Sequence, residues 1–338
     1  MAIDLPVPHL LFLGDITNPL DAKTAMGIRD WRPEHCVGQW RLPGCTVDLG
    51  LPTMTPASAA MAGAQSVLMG VAPAGGVLCP SWIAPLRAAL AAGLSIVSGL
   101  HQPLTAVPAL VEAAQAAQQK LIDIRIAPND IPIASGRRRA GKRLLTVGTD
   151  CCVGKKYTAL AITNALRQQG HKATFRATGQ TGIMISGGGI PMDAVVSDFL
   201  SGAAELLSPD ADDDHWDVIE GQGSLFHPAY AAVTLGLLHG SQADALVLCH
   251  SAGRAAIDEY EAFVIPDLVT CISRYQQAAA LTNHGARVIG VSLNTSDMAS
   301  NDAQQVCAQV SRETGLPCLD PLRDGLAPFI AALSGRTG

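Results

Sequence analysis

Short apolar runs alternate with longer segments of helical period along most of the chain. In the first half, Leu10-Leu11-Phe12-Leu13-Gly14-Asp15, Ser66-Val67-Leu68-Met69-Gly70-Val71 and Ser95-Ile96-Val97-Ser98-Gly99 read as strands that end in turns. Helices are predicted at Ile83–Ala92 and Val107–Lys120. The second half is more regular. Strands are predicted at 143–148, 172–176, 216–220, 244–249 and 286–293, and helices at 154–169, 192–206, 228–239, 274–283 and 300–313. Such alternation predicts parallel strands joined by right-handed crossovers.

The most informative stretch follows the apolar run Leu144-Leu145-Thr146-Val147. Gly148, Thr149, Asp150, Cys151, Cys152, Val153, Gly154, Lys155, Lys156, Tyr157 and Thr158 read as a strand, a phosphate loop and a helix start. Such a loop turns backbone N–H groups and a helix N-terminus toward an anion, and Lys155 adds a point charge. The hydroxyl that normally follows the lysine and holds Mg²⁺ is replaced by Lys156. Thr158 lies roughly 200° round the helix from position 156 and is expected to face elsewhere. The fold class expected is therefore α/β: an N-terminal Rossmann-like open sheet followed by a P-loop-containing doubly wound parallel sheet. No Gly-x-Gly-x-x-Gly fingerprint occurs, so no NAD site is expected.

The expected division is 1–135 for the Rossmann-like domain, 136–143 for a basic linker and 144–338 for the P-loop domain. Ser135-Gly136-Arg137-Arg138-Arg139-Ala140-Gly141-Lys142-Arg143 is read as a solvated linker in preference to a basic collar for a phosphate. Asp210-Ala211-Asp212-Asp213-Asp214 reads as an acidic surface loop.

Composition narrows the function. Hydrophobic residues make up 48% and charged residues 15%, which suits buried parallel sheets. Aromatics at 4% and a net charge of −6 argue against a nucleic-acid partner. Leu49–Leu86 carries no charged residue, but prolines and glycines interrupt it before the roughly 20 residues a membrane span needs. The N-terminus lacks a signal-peptide pattern, and nine cysteines at irregular spacing read as reduced thiols, so a cytoplasmic protein is expected.

Three later strand ends add to the loop. They carry Arg176-Ala177-Thr178-Gly179-Gln180-Thr181-Gly182, then Glu220-Gly221-Gln222-Gly223-Ser224, then Leu293-Asn294-Thr295. Carboxyl ends of parallel strands share one crevice in open α/β sheets. Gly148-Thr149-Asp150-x-x-Val153-Gly154-Lys155, with an acidic residue after the third strand and Leu293-Asn294-Thr295, resembles the dethiobiotin synthetase branch of P-loop proteins. A fuller resemblance adds Thr158, Ala177-Thr178-Gly179-Gln180-Thr181-Gly182 and Ile190-Pro191-x-Asp193-Ala194-Val195. It also takes in Ile219-Glu220-Gly221-Gln222-Gly223-Ser224-Leu225-x-His227-Pro228 and Ser98-Gly99-Leu100-His101. These blocks resemble the bacterial D-glutamate N-acetyltransferase family, which joins a Rossmann-like domain to a P-loop domain.

That resemblance implies acetyl-CoA as co-substrate, D-glutamate as acceptor, and no metal. A homo-oligomer is expected, with neither nucleic acid nor membrane as partner. Residues 148–158 would bind the donor's phosphates. Arg176, Gln180 and His101 would orient substrate in a cleft between the domains. Amine acetylation needs a base and oxyanion donors; the candidates are Glu220 first, then Asp193, His227 and Asp150. Each has a structural alternative: a relic metal site for Glu220, a helix cap for Asp193, a packed loop ring for His227, a strand-end ion pair for Arg176. Cys151 or Cys152 could carry an acetyl group, though small loop-filling side chains are the preferred reading. The alternatives in other classes are an ATP-dependent ligase or kinase of the dethiobiotin synthetase type, with Asp150 and Glu220 on Mg²⁺, and a non-catalytic nucleotide sensor.

Overall fold

The computed structural model of the chain describes residues 3–334. It divides into two compact units, one of residues up to Ala127 with Gln180–Ala194, the other of Pro128–Gly179 with Val195 onward. The first runs β1 (His9–Gly14), α1 (Lys23–Trp31), β2 (Cys36–Arg41), α2 (Pro56–Met61), β3 (Ser66–Met69), α3 (Ile83–Ala91), β4 (Ser95–Ser98), α4 (Pro108–Ala117) and β5 (Leu121–Asp123). Its sheet is parallel, in the order β2-β1-β3-β4-β5. The central β1 and β3 are buried along their length, which explains why they read as unbroken apolar runs. Phe12 meets Trp40 and Trp82 edge-on, at centroid distances of 4.9 and 5.5 Å. The strands that the pattern did not predict, β2 and β5, are the two edges, where a half-buried, mixed sequence carries little period.

The chain continues through β6 (Lys142–Gly148), α5 (Lys155–Gln168), β7 (Ala173–Arg176), α6 (Gln180–Ser186), α7 (Leu200–Leu207), β8 (Trp216–Ile219), α8 (Ala231–Ser241) and β9 (Ala245–Ser251). Then come β10 (Ala256–Ile257), β11 (Tyr260–Val264), α9 (Leu268–Ala280), β12 (Arg287–Asn294), α10 (Ser300–Thr314), β13 (Cys318–Leu319) and α11 (Ala327–Ser334). The second sheet is parallel, in the order β13-β12-β9-β6-β8-β7. β6 lies between β8 and β9, so the strand order reverses beside it, and the loop after β6 opens at that switch point. The five strands predicted in this half are all present. The helix predicted at 192–206 starts only at Leu200, after two short 3₁₀ turns. The helix predicted at 274–283 starts at Leu268, where the Asp267 carboxylate accepts the Thr270 N–H at 2.8 Å.

Two features differ from the linear reading of domains. First, Gln180–Ala194 belongs with the N-terminal sheet, although it follows the phosphate loop in sequence. α6 lies on α1, where the Thr24 and Thr181 hydroxyls meet at 3.0 Å and Arg32 Nε donates to Ile185 O at 2.8 Å. A side chain at Gly99 would meet Gln180 Cγ at 2.6 Å, so α6 starts against bare backbone. Secondly, the basic stretch is only partly solvated: Ser135–Arg138, Ala140 and Lys142 are exposed, but Arg139 and Arg143 are buried. Arg143 is 1% exposed and donates to the carbonyls of Ser208, Arg139, Gly141, Ala140 and Pro209. Arg137 pairs with Asp210, Arg138 with Asp244, and Arg139 donates to Gly240 O and Ser241 O. These residues stand at the amino end of β6, opposite the loop at its carboxyl end. Among the described residues no helix is long and apolar enough to cross a membrane.

Candidate functional site

The loop after β6 is held from below by the carboxyl ends of its neighbours. Tyr275 OH, on α9, donates to Gly148 O at 2.6 Å and accepts the Leu225 N–H at 3.1 Å. Burial pushes this phenol well above its ordinary pKa, so it stays a donor. Thr149 N–H donates to Cys249 O at 3.0 Å, and its hydroxyl meets His250 Nδ1 at 2.8 Å. Burial and the nearby Arg254 charge bring His250 down to about 4, so its ring is neutral at physiological pH.

Asp150 organises the mouth of the loop. It is fully buried, and its Oδ1 accepts the Cys151 N–H at 2.6 Å. Its Oδ2 accepts both Arg254 Nη1 and the Asp258 N–H, each at 2.9 Å. Cys152 and Gly154 take left-handed φ values of 54° and 99°, which bend the loop into α5. No side-chain hydrogen bond caps the start of α5 at Gly154, and a helix N-terminus of this kind favours an anion. Lys155 Nζ donates to Asp150 O at 2.6 Å, across the concave side of the loop. Its stem rests on Gly221: a Cβ there would lie 3.1 Å from Lys155 Cδ and 1.7 Å from Thr146 O. Glycine is required at 221 by this close approach.

Glu220 follows β8 and is 3% exposed. Its Oε2 accepts the N–H groups of Thr178 at 2.9 Å and Gly179 at 3.1 Å, tying the loop after β7 to the loop after β8. Burial raises its pKa, opposed by those N–H groups and by the charges of Lys156 and Lys155. Gln222 Nε2 adds a bond to Thr178 Oγ1 at 3.1 Å.

The other residues singled out from sequence divide sharply. Thr158 is turned into the core, donating to Gly154 O at 3.1 Å and meeting Ser292 Oγ at 2.8 Å, so its hydroxyl does not reach an anion. Val153 is buried, Cys152 is exposed and Cys151 half-buried, and Lys156 lies over the Tyr157 ring at 5.2 Å. Arg176 is held by a cross-strand ion pair, the structural alternative for it. Its Nε donates to Asp217 Oδ1 at 2.7 Å, and Asp217 stands opposite Thr174, so the guanidinium is drawn back along the sheet. Asp193 and Gln180 lie in the first unit, where Asp193 pairs with Arg125, whose Nε donates to Gly99 O at 3.0 Å. His101 is exposed in that unit, with its pKa lowered by burial and by Arg125.

His227 does not have the state a base needs. Its Nδ1 accepts the Ala229 N–H at 3.1 Å, so the neutral ring carries its proton on Nε2. Burial lowers its pKa, against the opposing pull of Asp150. The ring is therefore a hydrogen-bond donor. One donor atom each from Asp150, Cys151 and His227 lies within 4.8 Å of the others, a spacing that a metal ion could bridge. The chemistry of that trio does not fit a cation, because Arg254 already neutralises Asp150 and both carboxylate oxygens accept N–H bonds.

Sequence reasoning missed Arg254, His250, Tyr275 and the β10–β11 hairpin. Arg254 had a signal, since it follows the apolar β9 within a short polar turn, where crevice residues sit. Tyr275 had none, because a single aromatic on a helix reads as core.

Comparison with known proteins adds identity to this geometry. Family models described as a domain of unknown function, DUF1611, match the chain: the P-loop domain at residues 132–330 and the Rossmann-like domain at 40–127. A protein of Pseudoalteromonas sp named D-glutamate N-acetyltransferase is 48% identical over 96% of this chain and 98% of its own length. Another of that name, from Tritonibacter scottomollicae, is 46% identical over 98% of this chain and 99% of its own. A crystal structure of a DUF1611 family protein from Anabaena variabilis superposes with a TM-score of 0.88 at 33% identity, over 97% of this chain and 100% of that one.

Proposed function

The chain belongs to the DUF1611 family, and from that premise we propose that it is an N-acetyltransferase that moves the acetyl group of acetyl-CoA to the amino group of D-glutamate. The observation that carries this reading is the near-full-length match to two proteins of that name. The loop supports the donor. Acetyl-CoA presents a pyrophosphate and a further phosphate, and the uncapped start of α5 with Lys155 suits them. Acyl transfer needs no metal, and Lys156 stands where a Mg²⁺-holding hydroxyl would be. The ligase reading asked Asp150 to hold Mg²⁺, and the pairing of Asp150 with Arg254 speaks against it.

The length of the donor separates gripping from chemistry. The pantetheine arm is about as long as four extended residues, roughly 14 Å. With the pyrophosphate on the loop, the thioester lies well beyond Glu220, whose carboxyl feels the charges of Lys155 and Lys156 at the start of α5. Glu220 then keeps the loops after β7 and β8 in register, and His227 offers Nε2–H to a phosphate oxygen. Neither takes the substrate's proton.

Glu220→Gln tests this division. A carboxyl whose pKa is raised on folding stabilises the fold while protonated, and that contribution fades as pH climbs past its unfolded value. The amide mimics the protonated form. Its stability relative to the parent should therefore grow as pH rises above the ordinary glutamate range. The KM for acetyl-CoA should rise while the pH profile of kcat keeps its shape. Loss of the acidic limb of kcat would restore Glu220 as the base. The activity itself is tested by product: incubation with acetyl-CoA and D-glutamate should yield N-acetyl-D-glutamate and free CoA, and unchanged substrates would refute the assignment.

A further inference from the structure

The chain is poor in aromatics, at 4%. Yet all the aromatic side chains among its exposed large apolar residues, Tyr230, Tyr260 and Phe263, fall in one cluster, exposed by 53%, 37% and 49%. The His227 ring joins them, 4.5 Å from Tyr230 and 5.1 Å from Tyr260, and Tyr260 lies 6.3 Å from Phe263. His227 is also what connects the cluster to the phosphate loop, with a ring nitrogen within 4.8 Å of Asp150 and Cys151 donor atoms.

The hairpin that carries two of these rings is fastened to the same place. Arg254 and the Asp258 N–H both donate to Asp150 Oδ2, and Ile257 and Ile265 are buried at its base. Between the strands Glu259 adopts a left-handed φ of 63°, a conformation that a non-glycine residue holds only where its surroundings impose it. Beyond these anchors every residue of β11 is exposed. A two-stranded hairpin is marginal alone. This one spreads apolar rings into solvent while its polar backbone is tied to an anion-binding loop.

We infer that Tyr230, Tyr260 and Phe263 form a stacking platform for the flat base of the acyl donor's nucleotide, the adenine of acetyl-CoA. The inference rests on the loop's holding that nucleotide's phosphates, as proposed above. In a nucleotide the base stands one sugar away from its phosphates, which is the relation between this cluster and the loop. Aromatic faces accept any flat base, and stacking on them is worth about 1–3 kcal/mol per base. His227 serves both ends: its ring completes the aromatic row, and one of its ring nitrogens lies beside the loop.

The test uses calorimetric titration of the full-length protein, in EDTA, with CoA and its two halves. One half, 3′-phosphoadenosine 5′-phosphate, has the base and phosphates; the other, 4′-phosphopantetheine, has a phosphate and no base. Tyr260→Ala should weaken CoA and the adenosine half by about 10-fold to 100-fold and leave phosphopantetheine unchanged. Tyr260→Phe, which keeps the ring, should bind as the parent does. Unaltered CoA affinity in both Tyr260→Ala and Phe263→Ala would overturn the platform, and a change only in oligomeric state would mark the cluster as a contact between copies instead. If the parent binds neither CoA nor the adenosine half, the phosphate-loop reading itself fails. Because both side chains are exposed, the variants should melt like the parent.

Discussion

Replacing Lys155 by alanine should lower kcat/KM for acetyl-CoA by about 100-fold, the worth of one strong hydrogen bond to a charged group. The loss should appear in the KM for acetyl-CoA, with the KM for D-glutamate little changed. Lys155 is 8% exposed, and its ammonium sits inside the loop on Asp150 O, the position from which it would turn to a phosphate. The fold should survive, because the partner left behind is a backbone carbonyl. Steady-state kinetics with each substrate varied in turn make the distinction. An unchanged KM for acetyl-CoA would remove the phosphates from the loop.

Asp150→Ala should be strongly destabilising. The carboxylate takes the Cys151 and Asp258 N–H groups and pairs with Arg254, so its loss unties the loop and the hairpin together and strands a cation. Breaking a buried pair typically costs 3–5 kcal/mol. Arg254 keeps 24% of its side-chain exposure, which favours the low end, about 3 kcal/mol. For a unit of this size that corresponds to a Tm lower by roughly 6–12 °C. Arg254→Leu on the Asp150→Ala background should recover part of the loss, since the stranded charge goes with it. A melting temperature equal to the parent's would show that the Asp150 network does not hold the site.

How much of this was legible depends on whether the determining interactions are local. The strand–loop–helix at 143–169 could be read because apolar run, glycines and lysine lie within one turn of chain. The central strands could be read because burial on both faces leaves only apolar residues. Edge strands such as β2 and β5 carry half that constraint and escaped notice. Long-range pairings escaped too. Arg176 looked available at a strand end, but its partner Asp217 comes about forty residues later, and no local pattern signals the pair. Gln180 and Asp193 sit in two motif blocks that follow the phosphate loop in sequence, yet α6 lies on α1 and both residues belong to the first unit. A ring nitrogen of His227 lies beside Asp150 and Cys151. Its role as a base depended on a tautomer, which a single backbone N–H from Ala229 decides.

The arginine run shows the same limit from the other side. Charge runs are usually solvated, but Arg139 and Arg143 are buried among the carbonyls that end α7 and α8. Their positive charge holds the amino end of β6 in place and contributes nothing at the loop.

The measurement that bears most directly on the account is the release of free thiol from acetyl-CoA by the purified protein in EDTA, with D-glutamate, L-glutamate or neither. Release that requires D-glutamate and persists in EDTA is the predicted result, because an anion-gripping loop and an acyl transfer need no metal. Thiol release abolished by EDTA and restored by Mg²⁺, or cleavage of ATP in place of acetyl-CoA, would contradict it.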